Sequence, residues 1–469
     1  MTYQDFILSK RIADPPSGIA DADRIDLSGK LFDFQRDIVR WALRRGRACI
    51  WADCGLGKTA MQLEWARIVG EHTGKPVMII TPLAVSAQTA EIEAPKFGID
   101  CRVVAKMSEV DAAGIFITNY EKLDKFDLAG FGGVVLDESS ILKNYSGKIR
   151  NAILEKTANI PFRLACTATP SPNDYMELGN HAEFVGAMKY TEMLAMFFVH
   201  DGGDTAKWRL KGHAKHDFFA WVASWAVFIR KPSDLGYPDD TFILPEIEFH
   251  DVVVQTDAQS GHLFPVVAAS LQERQAARRD TIAARVAAAI RIIEEHKDNA
   301  EDQFCVWCNL NDESDAVETA RPGIVNIQGS DSDDCKAARM VGFATGKVAE
   351  IVTKPKIAGF GMNWQRCSKV IFLGLSDSYE QFYQAVRRFY RFGQKRTVHV
   401  WIVTADTEGA VVENIRRKER DANAMYAEMV KYMNGENRIA VTGNAPKRSV
   451  YAPQQNIQMP TFLKGAAAI

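Results

Sequence analysis

The residues best suited to chemistry form a glycine-rich loop, Ala52-Asp-Cys-Gly-Leu-Gly-Lys-Thr59. A short apolar run, residues 48–51, precedes the loop, and a helical pattern over residues 60–69 follows it. This order of strand, loop and helix is typical of a phosphate-binding loop. Gly55 and Gly57 allow the backbone N–H groups to surround phosphate oxygens, and the N-terminus of the helix adds a favourable potential. The segment therefore predicts a site for a phosphorylated nucleotide.

Side chains at the end of this loop and two later acids have complementary predicted roles. Lys58 is predicted to reach the β- and γ-phosphates, and Thr59 to hold Mg²⁺. A second apolar run ends in Asp137 and Glu138, which places two acids at the end of another strand. Asp137 is predicted to bind the same Mg²⁺, and Glu138 to orient and deprotonate the attacking water. The two acids could instead cap the helix that starts near Ser139, but that alternative leaves the loop unexplained.

Short apolar runs alternate with helical patterns along the chain, and they do so twice. This alternation is typical of parallel α/β sheets, so we expect two α/β lobes of similar construction. The strands predicted for the first lobe are residues 48–51, 77–80, 114–117, 134–136 and 163–166. Those predicted for the second lobe are residues 304–308, 324–327, 350–352, 370–373 and 398–403.

The composition of the 469 residues is that of a folded globular protein, with 47% hydrophobic and 25% charged residues. This balance excludes wholesale disorder and a fibrous chain. Lys and Arg total 57 against 59 for Asp and Glu, so the net charge of −2 requires any nucleic-acid contact to be local. No apolar stretch approaches the ~20 residues that span a bilayer, and the N-terminus lacks a secretion signal. We therefore expect a cytoplasmic protein without a membrane segment.

Two short patterns could indicate a metal. Cys305 and Cys308 form a single CxxC pair, but it lies in an apolar run without a second pair, which favours a buried strand over zinc. His213 and His216 lie in a lysine-rich loop, where a solvated surface pair is the preferred interpretation. Neither pattern is a predicted metal site.

Further motifs, in a constant order, resemble the Swi/Snf-like branch of superfamily 2 helicases and translocases. The resemblance runs from about residue 31 to residue 418, and the compact chain also looks like helicase-like proteins of bacteriophages. Ser140 stands where the branch usually has histidine. The motifs are LFDFQ (31–35), GLGKT (55–59), TPL (81–83), DESSILKN (137–144), TATP (167–170), QG (328–329), GFGMN (359–363) and QAVRRFYRFGQ (384–394).

The resemblance implies two RecA-like lobes that bind ATP and Mg²⁺ between them. Gln35 is implied as the adenine ligand, and Arg388 and Arg391, three residues apart, are expected to share one helix face and point into the cleft between the lobes. The implied ATP-binding residues are Gln35, Gly55, Leu56, Gly57, Lys58 and Thr59. The residues implied in nucleic-acid binding or in coupling are Thr81, Pro82, Thr167, Thr169, Gly359, Gly361, Asn363 and Gln384.

These readings divide the chain into five parts. Residues 1–30 are expected to be an extension, residues 31–181 the ATP-binding lobe and residues 266–432 the second lobe. Residues 182–265 contain many aromatic side chains, for which helical packing between the lobes is preferred over base stacking. Residues 433–469 are expected to be a loose tail.

The resulting hypothesis is an ATPase that duplex DNA stimulates and that translocates along the duplex. One alternative is a strand-separating helicase acting on DNA or RNA, because the ATPase motifs alone do not identify the nucleic acid. Another is a non-motor DNA-binding scaffold with an inactive ATPase core, which the intact Lys58, Asp137, Glu138, Arg388 and Arg391 disfavour. A P-loop kinase would not need the second sheet. Protein partners are not predicted.

Overall fold

The computed structural model describes residues 14–143, 147–201, 204–255, 279–299, 301–358 and 363–443. Two parallel sheets dominate these residues, and each forms the centre of one lobe. The predicted fold class, α/β with two lobes built on parallel sheets, is confirmed. Among the described residues, no helix combines the length and the apolar character that crossing a membrane requires.

Seven parallel strands form the sheet of the first lobe. Five of them contain the runs predicted from the sequence, and their residues are buried because helices cover both faces of the sheet. The strands are β1 (Arg47–Ala52), β2 (Val77–Thr81), β3 (Cys101–Val103), β4 (Ile115–Asn119), β5 (Gly133–Asp137), β6 (Phe162–Thr167) and β9 (Ala226–Ile229). Their spatial order is β3-β4-β2-β5-β6-β1-β9.

Six parallel strands form the sheet of the second lobe, and five of them overlap the predicted runs. The strands are β10 (Ile247–Val254), β11 (Phe304–Trp307), β12 (Val325–Asn326), β13 (Glu350–Thr353), β14 (Lys369–Leu373) and β15 (Val398–Ala405). Their spatial order is β10-β15-β14-β11-β13-β12. The CxxC pair lies at β11, where Cys305 and Cys308 are fully buried, as the strand interpretation predicted.

Helices cover the sheets, and a hairpin of β7 (Phe198–Asp201) and β8 (Asp204–Leu210) adds a small antiparallel pair. The first-lobe helices are α1 (Asp33–Arg45), α2 (Lys58–Thr73), α3 (Leu83–Gln88), α4 (Ala94–Phe97), α5 (Lys148–Thr157), α6 (Leu178–Val185), α7 (Tyr190–Phe197) and α8 (Lys215–Ala223). The others are α9 (Ile282–His296), α10 (Asn311–Ala320), α11 (Asp333–Ala344), α12 (Pro355–Ala358), α13 (Tyr379–Val386) and α14 (Gly409–Thr442).

The expected separate insertion at residues 182–265 is divided between the lobes in the structure. Its strand β9 pairs with β1 in the first sheet, and its strand β10 pairs with β15 in the second. The sequence pattern predicted neither strand, and the reason differs between the two. β9 is the end of a longer apolar run, whereas β10 alternates half-buried and exposed residues because it is an edge strand with one solvated face.

The predicted start of the loose tail, at residue 433, lies too early in the chain. Helix α14 runs without a break to Thr442, ten residues past the predicted boundary, and returns from the second lobe to pack on the first. Met429 and Met433 are fully buried there, and Tyr175 of the first lobe donates a hydrogen bond of 2.8 Å to Glu428 Oε2. Packing against another lobe, which composition does not report, keeps this segment helical. Residues 444–469 lie outside the described residues.

The described part of the expected N-terminal extension also packs on the first lobe. Ala22 and Leu27 are buried, and the backbone N–H groups of Ser17 and Gly18 donate to the last turn of α1. These contacts satisfy carbonyl groups that the end of a helix otherwise leaves unpaired. Residues 14–30 are thus part of the lobe that carries the glycine-rich loop.

Candidate nucleotide site between the lobes

A cleft of about 310 Å³ lies between the two lobes, and most of the predicted ATP-site residues line it. The first lobe contributes the loop after β1 and the acids at the end of β5, and the second contributes the segment after α13. Carboxyl ends of parallel strands are the usual place for ligands in such sheets. The predicted residues that line it are Gln35, Gly55, Gly57, Lys58, Thr59, Asp137, Glu138, Asn363, Gln384, Arg388 and Arg391.

The glycine-rich loop has the backbone that a phosphate cradle requires. Gly55 and Gly57 have φ values of +88° and +79°, a conformation that side chains disfavour. A Cβ on Gly57 would lie 2.3 Å from Gln35 Nε2, and one on Gly55 would lie 2.6 Å from the backbone N of Phe392. The Lys58 ammonium donates to Ala52 O at 2.8 Å, so it already points toward the inside of the loop.

Gln35 holds the same loop from the side of α1. Its Nε2 donates to Leu56 O at 2.9 Å, and its Oε1 accepts from Phe32 N at 3.0 Å. An amide side chain has two donor hydrogens and two acceptor lone pairs, so Gln35 keeps one of each for a base. Leu56 itself is buried and contributes its carbonyl, not its side chain, to this arrangement.

The acidic pair stands opposite the loop, at the end of β5. Asp137 Oδ1 accepts a hydrogen bond of 2.7 Å from Gln62 Nε2, and burial together with the adjacent Glu138 carboxylate raises the pKa of Asp137 to about 6. Glu138 has a φ of +55°, the only positive value among the described non-glycine residues. Its Oε2 is buried without a hydrogen-bond partner in the described part of the chain. Strained backbone of this kind is concentrated at functional sites.

These donors fit a nucleotide with its Mg²⁺. The hydroxyl of Thr59 and the carboxylate of Asp137 are hard oxygen ligands of the kind that Mg²⁺ takes together with phosphate oxygens. Burial and, next, the adjacent Glu138 carboxylate disfavour the charged form of Asp137. A divalent cation bound there would favour the charged form.

The two arginines reach the cleft by a different route from the one expected. Helix α13 ends at Val386, so Arg388 and Arg391 lie in the turns that follow and do not share a helix face. Gln394 Nε2 holds these turns by donating to Gln365 O at 2.9 Å, and Gly393 has a φ of +91° there. The glycine and glutamine of the motif thus shape a turn, and this turn brings both guanidinium groups to the cleft.

Arg388 is buried and Arg391 is partly buried, and both guanidinium groups lie in the field of the acids. Burial lowers the pKa of Arg388 to about 10, and the charge of Glu138 partly opposes this effect. Burial likewise lowers the pKa of Arg391. The charges of Arg388 and Glu138, which come from opposite lobes, are therefore close enough to influence each other.

The residues predicted to bind nucleic acid or to couple the lobes have mixed positions. Thr81 and Thr167 are buried. The Thr81 hydroxyl donates a hydrogen bond to Pro82 O at 2.9 Å, and the Thr167 hydroxyl accepts one from Thr169 N at 3.1 Å, so both hydroxyls are bonded within their own loops. Gln384 Nε2 lies 3.4 Å from Thr169 Oγ1, which joins the second lobe to the first. Asn363 lines the nucleotide cleft, with its backbone N 3.3 Å from Gln88 Oε1. Gly359, Gly361 and Asn144 lie outside the described residues.

A second cavity, of about 630 Å³, opens between the lobes beside the acidic motif. Pro82 and Ser140 line it from the first lobe, and residues of α11, α12 and α13 line it from the second. Lys143 and Glu380 form an ion pair across it. The lining includes four lysines and five carboxylates: Lys122, Lys143, Lys336 and Lys356, and Glu121, Glu138, Asp333, Asp334 and Glu380.

A histidine does approach the acidic motif, although Ser140 occupies the position at which the branch has one. His181 Nε2 of α6 lies 3.0 Å from Ser139 Oγ, and both residues are fully buried. Burial lowers the pKa of His181 to about 4, so its ring is neutral at pH 7. The imidazole thus comes from a different element, which the motif comparison missed.

Two further groups at the cleft were also missed. Asp53, inside the loop, contacts Tyr383 and Arg387 of the second lobe. The position of Asp53 within the glycine-rich motif and the position of Arg387 next to Arg388 were the sequence features that could have identified these two residues. Three aromatic rings, Phe32, Phe242 and Phe392, line the cleft beside Gln35 with centroid separations of 4.8–5.9 Å. Nothing local in the sequence marks Phe242.

Comparisons with known proteins give two similarities. The chain matches no family model. It is 32% identical over 177 residues to protein p41 of Acyrthosiphon pisum secondary endosymbiont phage 1, a match that covers 32% of this chain and 38% of that protein. The chain thus spans less than two-fifths of this relative's length. A Sulfolobus solfataricus SWI2/SNF2 ATPase core, solved in complex with dsDNA, matches with 19% identity over 92% of this chain and 99% of that chain, with a TM-score of 0.41.

Proposed function

We propose that this chain is a nucleic-acid-stimulated ATPase, specifically a translocase of helicase type that moves along duplex DNA. One observation carries the proposal. Lys58, Asp137 and Glu138 of the first lobe and Arg388 and Arg391 of the second line a single cleft. An enzyme that hydrolyses ATP in step with lobe movement needs its catalytic groups divided in this way.

Each group has a role that follows from its position. Lys58 neutralises charge at the β- and γ-phosphates, while Thr59 and Asp137 would hold Mg²⁺, which would screen the charge of the phosphate oxygens. Glu138 orients a water molecule and accepts its proton. Arg388 and Arg391 stabilise the charge that develops on the γ-phosphoryl group. A lobe that opened would withdraw both arginines, so hydrolysis depends on closure.

The adenine base is proposed to bind beside Gln35. The remaining donor and acceptor of this amide match the edge of an adenine, and Phe32, Phe242 and Phe392 supply ring faces for stacking. These three rings come from the first lobe, the connection and the second lobe. Adenine bound there would therefore join all three parts.

The nucleic acid is proposed to run along the second cavity. Its four lysines are suited to phosphate contacts, which position a backbone without reading sequence. Pro82 lines this cavity, as its predicted role requires, whereas Thr81 is not among the lining residues and its hydroxyl donates to Pro82 O. Duplex DNA is favoured because residues 55–59, residues 143–144 at the end of the acidic motif and residues 388–394 resemble double-strand translocases.

ATP hydrolysis with duplex DNA, single-stranded DNA and RNA, measured side by side, tests this proposal. We expect duplex DNA to stimulate turnover most, and the stimulation to weaken as salt rises because phosphate contacts release counterions. Stimulation by RNA alone would contradict the DNA assignment. Equal, low hydrolysis with and without every nucleic acid would favour the scaffold with an inactive ATPase core.

A pair of displacement assays separates translocation from unwinding. Release of a triplex-forming strand reports movement along a duplex, whereas release of one strand from a forked duplex reports strand separation. We expect activity in the triplex assay. Activity in the fork assay alone would favour a strand-separating helicase.

A further inference from the structure

Two histidines and a glutamate meet on one face of the second sheet, away from the nucleotide site. Glu248 and His250 are two residues apart on β10, so their side chains leave the strand on the same face. His399 lies directly opposite Glu248 on the neighbouring strand β15. None of the three lines the nucleotide cleft. Within the described part of the chain, they are the only group of three or more His, Cys, Asp or Glu residues whose ligand atoms lie close enough together to hold one metal ion.

The distances among the three donor atoms match the edges of a metal tetrahedron. His399 Nδ1 lies 3.2 Å from Glu248 Oε2, His250 Nε2 lies 3.3 Å from His399 Nδ1, and His250 Nε2 lies 3.6 Å from Glu248 Oε2. Zinc binds imidazole nitrogen and carboxylate oxygen at about 2.0–2.1 Å, so two ligands of a tetrahedral ion lie about 3.3–3.4 Å apart. Small side-chain movements would bring all three donors to one ion.

Aromatic packing holds the two imidazole rings in place. Trp401 stacks against His250 and His399, with centroid separations of 5.2 and 5.7 Å. The Glu248 carboxylate supplies the compensating negative charge.

We propose that Glu248, His250 and His399 form a binding site for a divalent transition-metal ion, with Zn²⁺ as the ion that these donors favour. Their side chains are 42%, 37% and 32% exposed, so a water molecule completes the fourth position. The bound ion would join the edge strand β10 to β15 where the connection from the first lobe enters the second. Its role is to hold this strand in the sheet, because three ligands on two strands cross-link them.

The test uses the full, untagged chain after removal of metal with a chelator. Zn²⁺ is titrated against it by calorimetry, bound metal is counted by mass spectrometry, and thermal unfolding is followed with and without Zn²⁺. We expect one ion per chain and a higher melting temperature with Zn²⁺. Co²⁺ in place of Zn²⁺ should give the visible absorption of a tetrahedral nitrogen and oxygen site. Sulfur-to-metal charge transfer would instead show that cysteines bind the ion, and would overturn the proposal.

Variants identify the ligands. His250→Ala and His399→Ala should each weaken Zn²⁺ binding by about tenfold or more and abolish the thermal shift. His216→Ala, at the exposed histidine pair, is the matched control and should bind Zn²⁺ like the unaltered chain. If an alanine variant fails to fold, Glu248→Gln, which keeps the size and polarity of the side chain, replaces it in the measurement of Zn²⁺ binding. Absence of stoichiometric Zn²⁺ binding, or unchanged binding in His250→Ala, would show a hydrogen-bonded cluster without a metal.

Discussion

Asp53 in the glycine-rich loop lies 3.3 Å from Arg387 of the second lobe, measured from Oδ2 to Nη2, so a salt bridge crosses the cleft. The Tyr383 hydroxyl donates to the other carboxylate oxygen at 2.6 Å. Burial alone would raise the pKa of Asp53, but Arg387, Tyr383 and Arg230 outweigh burial and lower it. The phosphate loop is thus bonded to the segment that carries Arg388 and Arg391.

We expect Asp53→Asn to lower kcat/KM for ATP, because the variant removes the charge that holds the second lobe over the loop. Hydrogen bonds to charged groups contribute about 1.5–3 kcal/mol, which corresponds to a decrease of about 10- to 150-fold. Steady-state ATPase assays measure this effect, and fluorescence energy transfer between labels on the two lobes should report a more open pair.

Asp217→Asn, at an exposed carboxylate, is the control and should leave the rate unchanged. The pH dependence has a definite sign. Because the folded state lowers the pKa of Asp53, its contribution is complete above the ordinary value of 3.8 and is lost as the pH falls through the lower folded value. The difference between the two proteins should therefore be constant from pH 6 to pH 8. Equal rates for Asp53→Asn and the unaltered chain would contradict the role of the salt bridge.

Lys58→Ala and Glu138→Gln should both stop hydrolysis, but for different reasons. Lys58→Ala removes the positive charge at the β- and γ-phosphates, so nucleotide affinity should fall as well. Glu138→Gln leaves the loop and Asp137 intact, so ATP should still bind while turnover stops. Binding of a fluorescent ATP analogue and phosphate release, measured together, separate the two effects. A near-normal rate in either variant would contradict the proposed site.

Arg388→Ala should lower kcat far more than nucleotide affinity, because the residue acts from the opposite lobe on charge that develops during the reaction. Arginine fingers in phosphoryl transfer contribute about 10³- to 10⁵-fold. Arg417→Ala, at an exposed arginine of α14, is the control and should behave like the unaltered chain. Weaker nucleotide binding at an unchanged kcat would identify Arg388 as a ground-state ligand.

Asp137→Asn should stabilise the metal-free protein at pH 8 while abolishing activity. The folded state raises the pKa of Asp137 from 3.8 to about 6, so ionisation of this carboxyl costs stability above pH 6. The asparagine keeps an oxygen for Gln62 and cannot ionise, so the free energy of unfolding should rise by about 1–3 kcal/mol. Urea unfolding measures it.

The stabilisation by Asp137→Asn should shrink as the pH falls through 6 and vanish below the unfolded pKa of 3.8. Glu109→Gln, at a carboxylate outside the cleft, provides the control for removing a charge. A stabilisation that did not depend on pH would show that ionisation of Asp137 is not its cause.

Met433→Ala tests the packing of the last turns of α14, where a loose tail was expected. Met433 is fully buried, and truncation of a buried methionine to alanine costs about 2–5 kcal/mol. Ile439 lies on the same helix with 43% exposure, so Ile439→Ala should change the free energy of unfolding by about 0.5 kcal/mol or less. Equal, small effects of both substitutions on urea unfolding would show that this end of α14 is not packed.

The sequence by itself determined the ten strands with continuous apolar runs, because strands buried on both faces carry that pattern without reference to their neighbours. It also determined which residues of the first lobe line the cleft proposed to bind the nucleotide. Lys58 and Thr59 follow the glycines directly, and Asp137 and Glu138 lie at the end of a strand. The order of residues along the chain is therefore sufficient to predict the roles of these four side chains.

Only the tertiary structure decided which residues that are remote along the chain come into contact at and around this cleft. Arg387 and Tyr383 reach Asp53, Phe242 joins Phe32, and His181 reaches Ser139, across separations that no local pattern encodes. The edge strand β10 and the end of α14 became visible only through the sheet and the lobe against which they pack. An edge strand with one solvated face and a helix buried along one side carry fewer apolar residues than a strand buried on both faces, and their local sequence does not identify the distant segment that excludes water from them.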